Sequence, residues 1–207
     1  MSNTICIMEN GKVIKTENIS GLKIEWLGDN GKIIIKTPFN FSNTTIQIGN
    51  GSVVEINENC TIKNLFCRLA SENSVIKIGR HFIMESGQFI LAKGQKNQSL
   101  IIGDDCLFSS NIFIQTSDGH AITDMSGHIL NNNGGHIFIG NHVWLGHGVS
   151  VLKKASIADN TIVAESAVVS KAFSRPNCIL GGVPAKIIKI DVNWSIKSPE
   201  FYEKEKC

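Results

Sequence analysis

A repeat of six residues runs from His136 to Phe173 and constrains the fold more than any other feature of the sequence. Aliphatic residues recur at every sixth position, and a small or apolar residue follows each of them by four positions. The aliphatic series is Ile139, Leu145, Val151, Ile157, Val163 and Val169, and the second series is Val143, Val149, Ala155, Thr161, Ala167 and Phe173. A period of six is neither the 3.6 of a helix nor the alternation of an ordinary strand. It predicts short strands joined directly by turns.

Three such segments would close a triangular coil of about 18 residues, and successive coils would stack at the strand spacing of about 4.8 Å. The residue after each aliphatic is small in five of the six repeats, as at Gly140 and Gly146. We expect it at a tight corner, where glycine tolerates a positive φ. Six strands joined by hairpins would need loop residues between the repeats, and the sequence has none there. It therefore predicts an all-β chain folded as a parallel β-solenoid.

The rest of the chain fits one elongated domain with two extensions. Residues 4–16 form a hairpin pattern about the turn Asn10–Gly11, so residues 1–20 are predicted to cap the first coil. A looser repeat starts at Gly21, and Ile78, Met84 and Ile90 keep the step of six. The solenoid is predicted over 21–190, followed by a tail over 191–207 that contains a short helix beginning at Pro199.

The repeat is interrupted once, between Ile114 and Ile137, by a polar segment rich in Gly and Asn. Loops of this length are uncommon inside a compact repeat and often carry function. The step of six resumes directly afterwards, so residues 115–136 are predicted to protrude from the solenoid as a loop.

The strings IGNHVWLGHGVSVL and GGVPAKII, together with the repeat, resemble the hexapeptide-repeat acyltransferases, which fold as a left-handed parallel β-helix. The similarity is closest to the sugar and capsular polysaccharide O-acetyltransferases of that family, including those that act on sialic acid. The resemblance implies the left hand of the coil, acetyl-CoA as co-substrate, and a homotrimer with each site between adjacent subunits. It covers about residues 46 to 190.

His120 is the candidate general base. O-acetylation needs a group near neutral pKa to take the proton from a sugar hydroxyl as that hydroxyl attacks the thioester. His120 lies on the predicted loop, where the family carries its catalytic His, and Ala121 stands where the family commonly has Pro. The alternative is a solvated loop His. An acceptor must orient the second ring nitrogen, and Asp118, Asp124 or a backbone carbonyl could do so.

Further site residues are implied by the resemblance. Trp144 should point outward by its phase in the repeat, which requires a ligand or a neighbouring subunit to cover it. The family motif places it beside the thioester sulfur and the acceptor, with Gly146 as a backbone donor to the oxyanion. His147 stands where galactoside acetyltransferases carry a small polar residue that contacts the cofactor, and the alternative is a surface His. Glu85 and Asp118 are the acceptor-side candidates. The coenzyme A groove is matched by Ala164, Ser170 and Lys171, and the segment near the adenine and 3′-phosphate by Pro184, Lys186 and Lys189.

The composition indicates which partners and which cellular compartment to expect. A net charge of +2 gives no electrostatic case for nucleic acid, and no segment has the pattern of a signal peptide or a membrane span. The six cysteines include no CxxC pair, which indicates reduced thiols and a cytoplasmic protein.

Three function classes remain. The first is an acetyl-CoA-dependent acetyltransferase acting on a sugar or polysaccharide hydroxyl, with N-acetylation of an amino sugar as a variant. The second is a β-helix enzyme like γ-carbonic anhydrase, which needs three His ligands for zinc. His142 and His147 stand at different phases of the repeat and should diverge, so no metal is expected. The third is a non-catalytic scaffold, for which the loop would be dispensable. The motifs favour the first.

Overall fold

The chain is described by a computed structural model that covers residues 2–131 and 135–204. It contains 24 strands and one short helix among those residues. In chain order the elements are β1 (Thr4–Glu9), β2 (Lys12–Lys15), β3 (Leu22–Trp26), β4 (Lys32–Lys36), β5 (Phe39–Ser42), β6 (Thr44–Ile48), β7 (Val53–Ile56), β8 (Cys60–Lys63), β9 (Leu65–Leu69), β10 (Val75–Ile78), β11 (Ile83–Met84), β12 (Gly87–Leu91), β13 (Ser99–Ile102), β14 (Leu107–Phe108), β15 (Ile112–Gln115), β16 (His136–Ile139), β17 (Trp144–Leu145), β18 (Ser150–Leu152), β19 (Ser156–Ile157), β20 (Ile162–Val163), β21 (Val168–Val169), β22 (Ala172–Phe173), β23 (Cys178–Gly181), β24 (Lys186–Ile190) and α1 (Pro199–Lys204).

The strands form three sheets, and the chain visits them in turn, so the molecule is a three-sided solenoid. Face 1 has the order β2-β1-β4-β7-β10-β13-β16-β19-β22, face 2 the order β24-β23-β20-β17-β14-β11-β8-β5, and face 3 the order β21-β18-β15-β12-β9-β6-β3. All pairings are parallel except at β1–β2 and β23–β24. The faces meet at three edges. The chain passes from face 1 to face 2 at edge 1–2, from face 2 to face 3 at edge 2–3, and from face 3 back to face 1 at edge 3–1. The predicted parallel β-solenoid is confirmed.

The six-residue pattern marks the core, as predicted. Both series of the repeat, from Ile139 to Phe173, are buried. Val151 pairs with Val169, 18 residues later, as expected for coils made of three segments of six residues. Earlier coils are longer: Ile46 pairs with Cys67, 21 residues later, because the strands of faces 1 and 3 have four or five residues there.

In the N-terminal coils, where the repeat is looser, one residue expected in the core is not buried. The step of six assigned Ile90 to the core together with Ile78 and Met84. In strand β12, Phe89 and Leu91 are buried instead, and Ile90 is only partly covered. The longer strand has ordinary two-residue alternation, which overrides the six-residue step.

The corner residue also differs from the expectation. The residue with positive φ lies three positions after the aliphatic, as at His142 (φ 53°), Asn160 (φ 55°) and Gly148 (φ 68°). Asparagine is the commonest non-glycine residue there, because its short polar side chain tolerates the left-handed region. Gly146 is small for another reason. A Cβ atom on it would lie 2.9 Å from the Glu165 backbone nitrogen of the next coil, so close stacking of coils excludes a side chain.

Each end of the solenoid carries one reversed strand. The predicted hairpin is present, with Asn10 and Gly11 at its turn. Strand β1 is itself the first strand of face 1, in parallel with β4, so only β2 lies outside the coil. At the other end β24 runs antiparallel to β23 on face 2. The predicted helix begins at Pro199, and Cys207 lies outside the described residues.

Candidate active site

The chain leaves the solenoid between β15 and β16, at edge 3–1, to form a protruding arm, of which residues 118–131 are described. Its stem is held by Asp118, whose carboxylate binds the ammonium of Lys153 in the next coil. The Asn131 amide donates to the Asp118 carboxylate (2.7 Å) and to the His120 carbonyl (2.8 Å). The Lys153 ammonium, and secondarily the Asn131 amide, hold the pKa of Asp118 below its usual range. Asp118 therefore anchors the turn that presents His120.

The tip of the arm is a closed turn. Thr123 bridges Ile129 in antiparallel fashion, and the Leu130 amide donates to the Ile122 carbonyl (2.7 Å). Its apolar side chains project into solvent, with Met125 fully exposed and Leu130 65% exposed. An exposed apolar tip on a rigid turn is typical of a segment that another surface covers.

Ser126, His128 and Asp124 lie together in this turn but do not form a catalytic triad. The Ser126 hydroxyl (2.8 Å) and the Asp124 carboxylate (3.2 Å) both meet the same nitrogen, Nδ1 of His128. A triad needs the acid and the nucleophile on opposite ring nitrogens. Asp124 also accepts from the Ser126 and His128 amides, so this carboxylate stabilises the turn and is not aligned with His120.

His120 itself is exposed and borders a cavity of about 270 Å³ between the arm and the loop after β12. The cavity is lined on the loop side by Lys93, Gly94 and Gln95. The side-chain hydroxyl of Ser117 and the amide oxygen of Gln95 are buried without a hydrogen-bond partner among the described residues. The carboxylates of Asp118 and Asp124 both bind other groups. Of the three groups expected to orient the His120 ring, this leaves a backbone carbonyl.

A second set of predicted residues lies at edge 2–3. Backbone hydrogen bonds join the successive turns of this edge, from Glu85 to Phe108, from Ser109 to Leu145, and from Ala164 to Leu180. Glu85 pairs with Lys63 at 3.0 Å, and Nε2 of His147 lies 3.4 Å from the amide nitrogen of Asn111. Edge 2–3 thus carries Glu85, Gly146, His147 and Ala164 in one column.

Gly146 does not suit the expected oxyanion role in this arrangement. Its amide donates to the Val163 carbonyl at 2.8 Å, within the ladder that joins the coils. An amide hydrogen that is already bonded along the solenoid axis is not available to a ligand oxygen.

Trp144 lies on face 2 with its side chain outward, as its phase predicts, and is 37% exposed. The covering group was expected to be a ligand or another subunit. Part of the cover comes from the chain's own tail: the ring centroid of Trp194 lies 5.9 Å from that of Trp144. Sequence reasoning missed Trp194, whose only signal was a large aromatic residue in a mostly polar tail.

The predicted cofactor residues are divided between edge 3–1 on one side and edge 2–3 with the adjoining face 2 on the other. Ser170 and Lys171 are exposed at edge 3–1, where the Lys171 ammonium lies 5.4 Å from the centre of the Phe173 ring. Pro184 is exposed near edge 2–3, next to Ala185, whose amide donates to the Val168 carbonyl (2.8 Å). Lys186 and Lys189 are exposed on β24.

One chain therefore does not bring His120 and Trp144 together. His120 extends from edge 3–1, and Trp144 lies on face 2, the face opposite that edge in a three-sided prism. The phase of the repeat explains the separation, because successive segments of six residues belong to different faces.

The thiols of Cys60 and Cys106, which line the interior, are not nucleophiles. Burial raises the pKa of the Cys60 thiol to about 11 and that of Cys106 to about 12, so both stay protonated at neutral pH. Across residues 2–131 and 135–204, no three His, Cys, Asp or Glu side chains are grouped to hold a metal ion. His142 and His147 lie on different edges, as their phases predict.

Comparison with known proteins gives the family. The model of the bacterial transferase hexapeptide (six repeats) matches residues 136–171. A polysialic acid O-acetyltransferase of Neisseria meningitidis is 32% identical over 172 residues, which cover 83% of this chain and 78% of that protein. The chain belongs to the hexapeptide-repeat O-acetyltransferase family. The predicted left-handed parallel β-helix, the fold class of this family, is thereby confirmed.

Two further relatives of this hexapeptide-repeat protein show the extent of the match. The crystal structure of the polySia specific acetyltransferase NeuO superposes with a TM-score of 0.80 and 25% identity, covering 95% of this chain and 80% of that one. A polysialic acid O-acetyltransferase of Escherichia coli O1:K1 is 30% identical over 142 residues, or 69% of this chain. The chain spans 44% of the length of that relative. In the described part of the hexapeptide-repeat chain, no helix has the length and apolar character to cross a membrane.

Proposed function

We propose that this protein transfers an acetyl group from acetyl-CoA to a hydroxyl of a sialic-acid-containing surface or capsular polysaccharide. The observation that carries the proposal is the 32% identity over most of the chain to a protein named polysialic acid O-acetyltransferase. The arm at edge 3–1 supports it, because it holds an exposed His on a turn anchored at both ends. A cytoplasmic location fits five buried free thiols.

In the proposed reaction, the imidazole of His120 takes the proton from the sugar hydroxyl. The hydroxyl oxygen forms a bond to the thioester carbonyl carbon, and the bond from that carbon to sulfur breaks. The imidazolium then returns its proton to the departing thiolate, so protons and charge balance. Positioned bases of this kind contribute about 10²- to 10⁴-fold. No covalent acyl-enzyme is required, which agrees with the high pKa of the buried Cys60 and Cys106 thiols.

The active unit in this proposal is a homotrimer with a site at each boundary between adjacent protomers. Three-fold closure would bring edge 3–1 of one protomer, with His120, to edge 2–3 of its neighbour, beside Trp144. The exposed apolar tip around Met125 and Leu130 would then be covered by the neighbour. Ser170 and Lys171 from one protomer and Pro184, Lys186 and Lys189 from the other would line the coenzyme A groove.

The activity is tested by incubating the purified full chain with acetyl-CoA and polysialic acid, with thiol release measured over time and the product examined by NMR. The expected product carries an O-acetyl ester on a sugar carbon. A neutral polysaccharide serves as acceptor control. Thiol release without a new ester, or acetylation of an amino sugar at nitrogen in preference to polysialic acid, would overturn the proposal. Sedimentation equilibrium of the same sample tests the trimer.

A further inference from the structure

The tail after β24 turns back onto face 2 and is fixed where it does so. Asp191 has a positive φ of 57° and pairs with Arg175 at 3.2 Å. The Val192 amide donates to the Asn177 carbonyl at 3.1 Å, which ties the tail to edge 1–2. Residues 193–196 therefore start from a defined point on the solenoid.

Trp194 is held on this surface by a ring stack and a hydrogen bond. Its indole lies parallel to the imidazole of His142, with ring centroids 4.3 Å apart and an angle of 9° between the planes. Its Nε1–H donates to the His142 carbonyl at 2.8 Å. Since His142 is itself fixed at a corner by Asn160 (3.1 Å), the indole has one defined orientation.

The fixed indole meets Trp144. The two ring centroids are 5.9 Å apart with an angle of 45° between the planes, a tilted contact in the attractive range for aromatic pairs. Trp144 projects from a strand of two residues, and its neighbours along face 2 are the smaller Leu107 and Ile162. Trp194 is thus the large rigid group that limits how the Trp144 ring can rotate.

We infer that Trp194 is a positioning residue, through which the tail holds Trp144 in the orientation that receives both substrates. The inference rests on the proposed function, in which Trp144 contacts the thioester and the acceptor. A ring that is ordered before binding loses less conformational freedom when the ligand arrives, so affinity rises without any new contact to the ligand. The tail lies outside the hexapeptide-repeat match, which ends at residue 171.

The test compares Trp194→Leu and Trp194→Phe with Ile196→Ala, an exposed residue of the same tail. Trp194→Leu is expected to raise the KM of acetyl-CoA and of polysialic acid by about 3- to 10-fold while kcat stays within about twofold. Trp194→Phe keeps a ring in the stack and should show a smaller rise in KM. Ile196→Ala should match the wild type. A merely structural role would lower the folded fraction, which reduces apparent kcat and leaves KM unchanged.

Two further measurements decide whether the effect passes through Trp144. If it does, adding Trp194→Leu to a Trp144→Ala protein should change KM no further, whereas independent residues give additive effects. The exciton signal of two adjacent indoles in circular dichroism should disappear in Trp194→Phe and in Trp144→Phe and persist in Trp26→Phe.

The outcomes separate this inference from the proposed function. A raised KM in Trp144→Ala with a normal KM in Trp194→Leu would overturn the positioning role and leave the proposed function standing. Additive effects in the double variant would also overturn it. A normal KM in Trp144→Ala would remove the role of Trp144 from the proposed function, and the inference with it.

Discussion

The ammonium of Lys153 binds the carboxylate of Asp118, and this contact joins the arm to the coil that follows it. The two side chains are 25% and 29% exposed, so the pair is partly shielded from water. Asp118 also receives the Asn131 amide, which reaches the His120 carbonyl as well. One carboxylate therefore links the solenoid, both sides of the arm and the segment that carries the candidate base.

Asp118→Asn is predicted to destabilise the arm in a pH-dependent way. The pKa of Asp118 is lowered in the folded state, chiefly by Lys153, so its contribution to stability is present above the usual aspartate pKa of about 3.9 and is lost as the pH falls through the lower folded value. The difference in thermal unfolding temperature between wild type and variant should hence shrink below about pH 4. An Asp29→Asn variant, at an exposed carboxylate far from the arm, controls for general charge loss. A difference that grows on acidification would contradict the assignment.

His120→Ala is predicted to lose about 10²- to 10⁴-fold in kcat, since removal of a general base leaves only binding and orientation. Affinity for coenzyme A, measured by calorimetry, should stay near the wild-type value. His128→Ala is the matched control, because His128 lies on the same arm and meets Asp124 and Ser126 through one nitrogen. If the two variants were equally impaired, the arm rather than the His120 imidazole would be responsible.

A mixture of His120→Ala and Trp144→Ala chains is predicted to regain activity. In a site formed between protomers, random assembly gives about one quarter of boundaries with both native residues. Chains should be unfolded together and refolded at equal amounts, with each variant refolded alone as the reference. Activity no higher than that of the single variants would show that both residues act within one chain.

Lys186→Ala and Lys189→Ala are predicted to weaken binding of coenzyme A more than binding of its 3′-dephospho form. Both lysines are exposed on β24, and hydrogen bonds from ammonium groups to phosphate contribute about 1.5–3 kcal/mol. The comparison of the two ligands isolates the 3′-phosphate from other contacts. Lys12→Ala, on the reversed strand at the opposite end, should affect neither ligand. Equal weakening for both ligands would place the lysines elsewhere along the cofactor.

Phe108→Ala is predicted to lower the free energy of unfolding by about 3–5 kcal/mol. Its ring is fully buried and packs edge to face against Phe82 at 4.8 Å and Phe89 at 6.4 Å, so truncation leaves a cavity that the coils cannot close. Phe138→Ala, with a side chain that is 48% exposed on face 1, should cost much less. Urea unfolding followed by circular dichroism provides both values.

The second half of the solenoid could be predicted from the sequence because most of its strands have only two or three residues and its segments keep the length of six. Every sixth residue must then be buried, as Ile139 and Val163 are. The buried positions of the earlier coils could not be predicted from a step of six. There the strands are longer, and the alternation that buries Phe89 and Leu91 moves Ile90 outward. The residue with positive φ was also misplaced, because a glycine signals either a backbone angle or a close approach, and Gly146 serves the latter.

The positions of the candidate residues on the loop and on the faces could be predicted from the sequence, but their arrangement in space could not. Motif and phase identified His120 and the outward Trp144, whereas their separation on one chain depends on which edge each segment occupies. The bond of Gly146 to Val163 follows from the stacking of coils, which has no local sequence signal. Lys153 and Trp194 were missed because both act through residues far away in the chain, at Asp118 and His142.

The reversed strands β2 and β24 limit the length of the molecule as well as closing its ends. A stack of parallel coils leaves unpaired strand edges at both ends. The last coil of one molecule could therefore pair with the first coil of another, and the molecules would join head to tail into a fibre. A second copy arriving at the first coil would meet β2 running the wrong way on face 1, and one arriving at the last coil would meet β24 on face 2. One mismatched side in three leaves a gap in any such junction, which protects a fold made of repeats from polymerising.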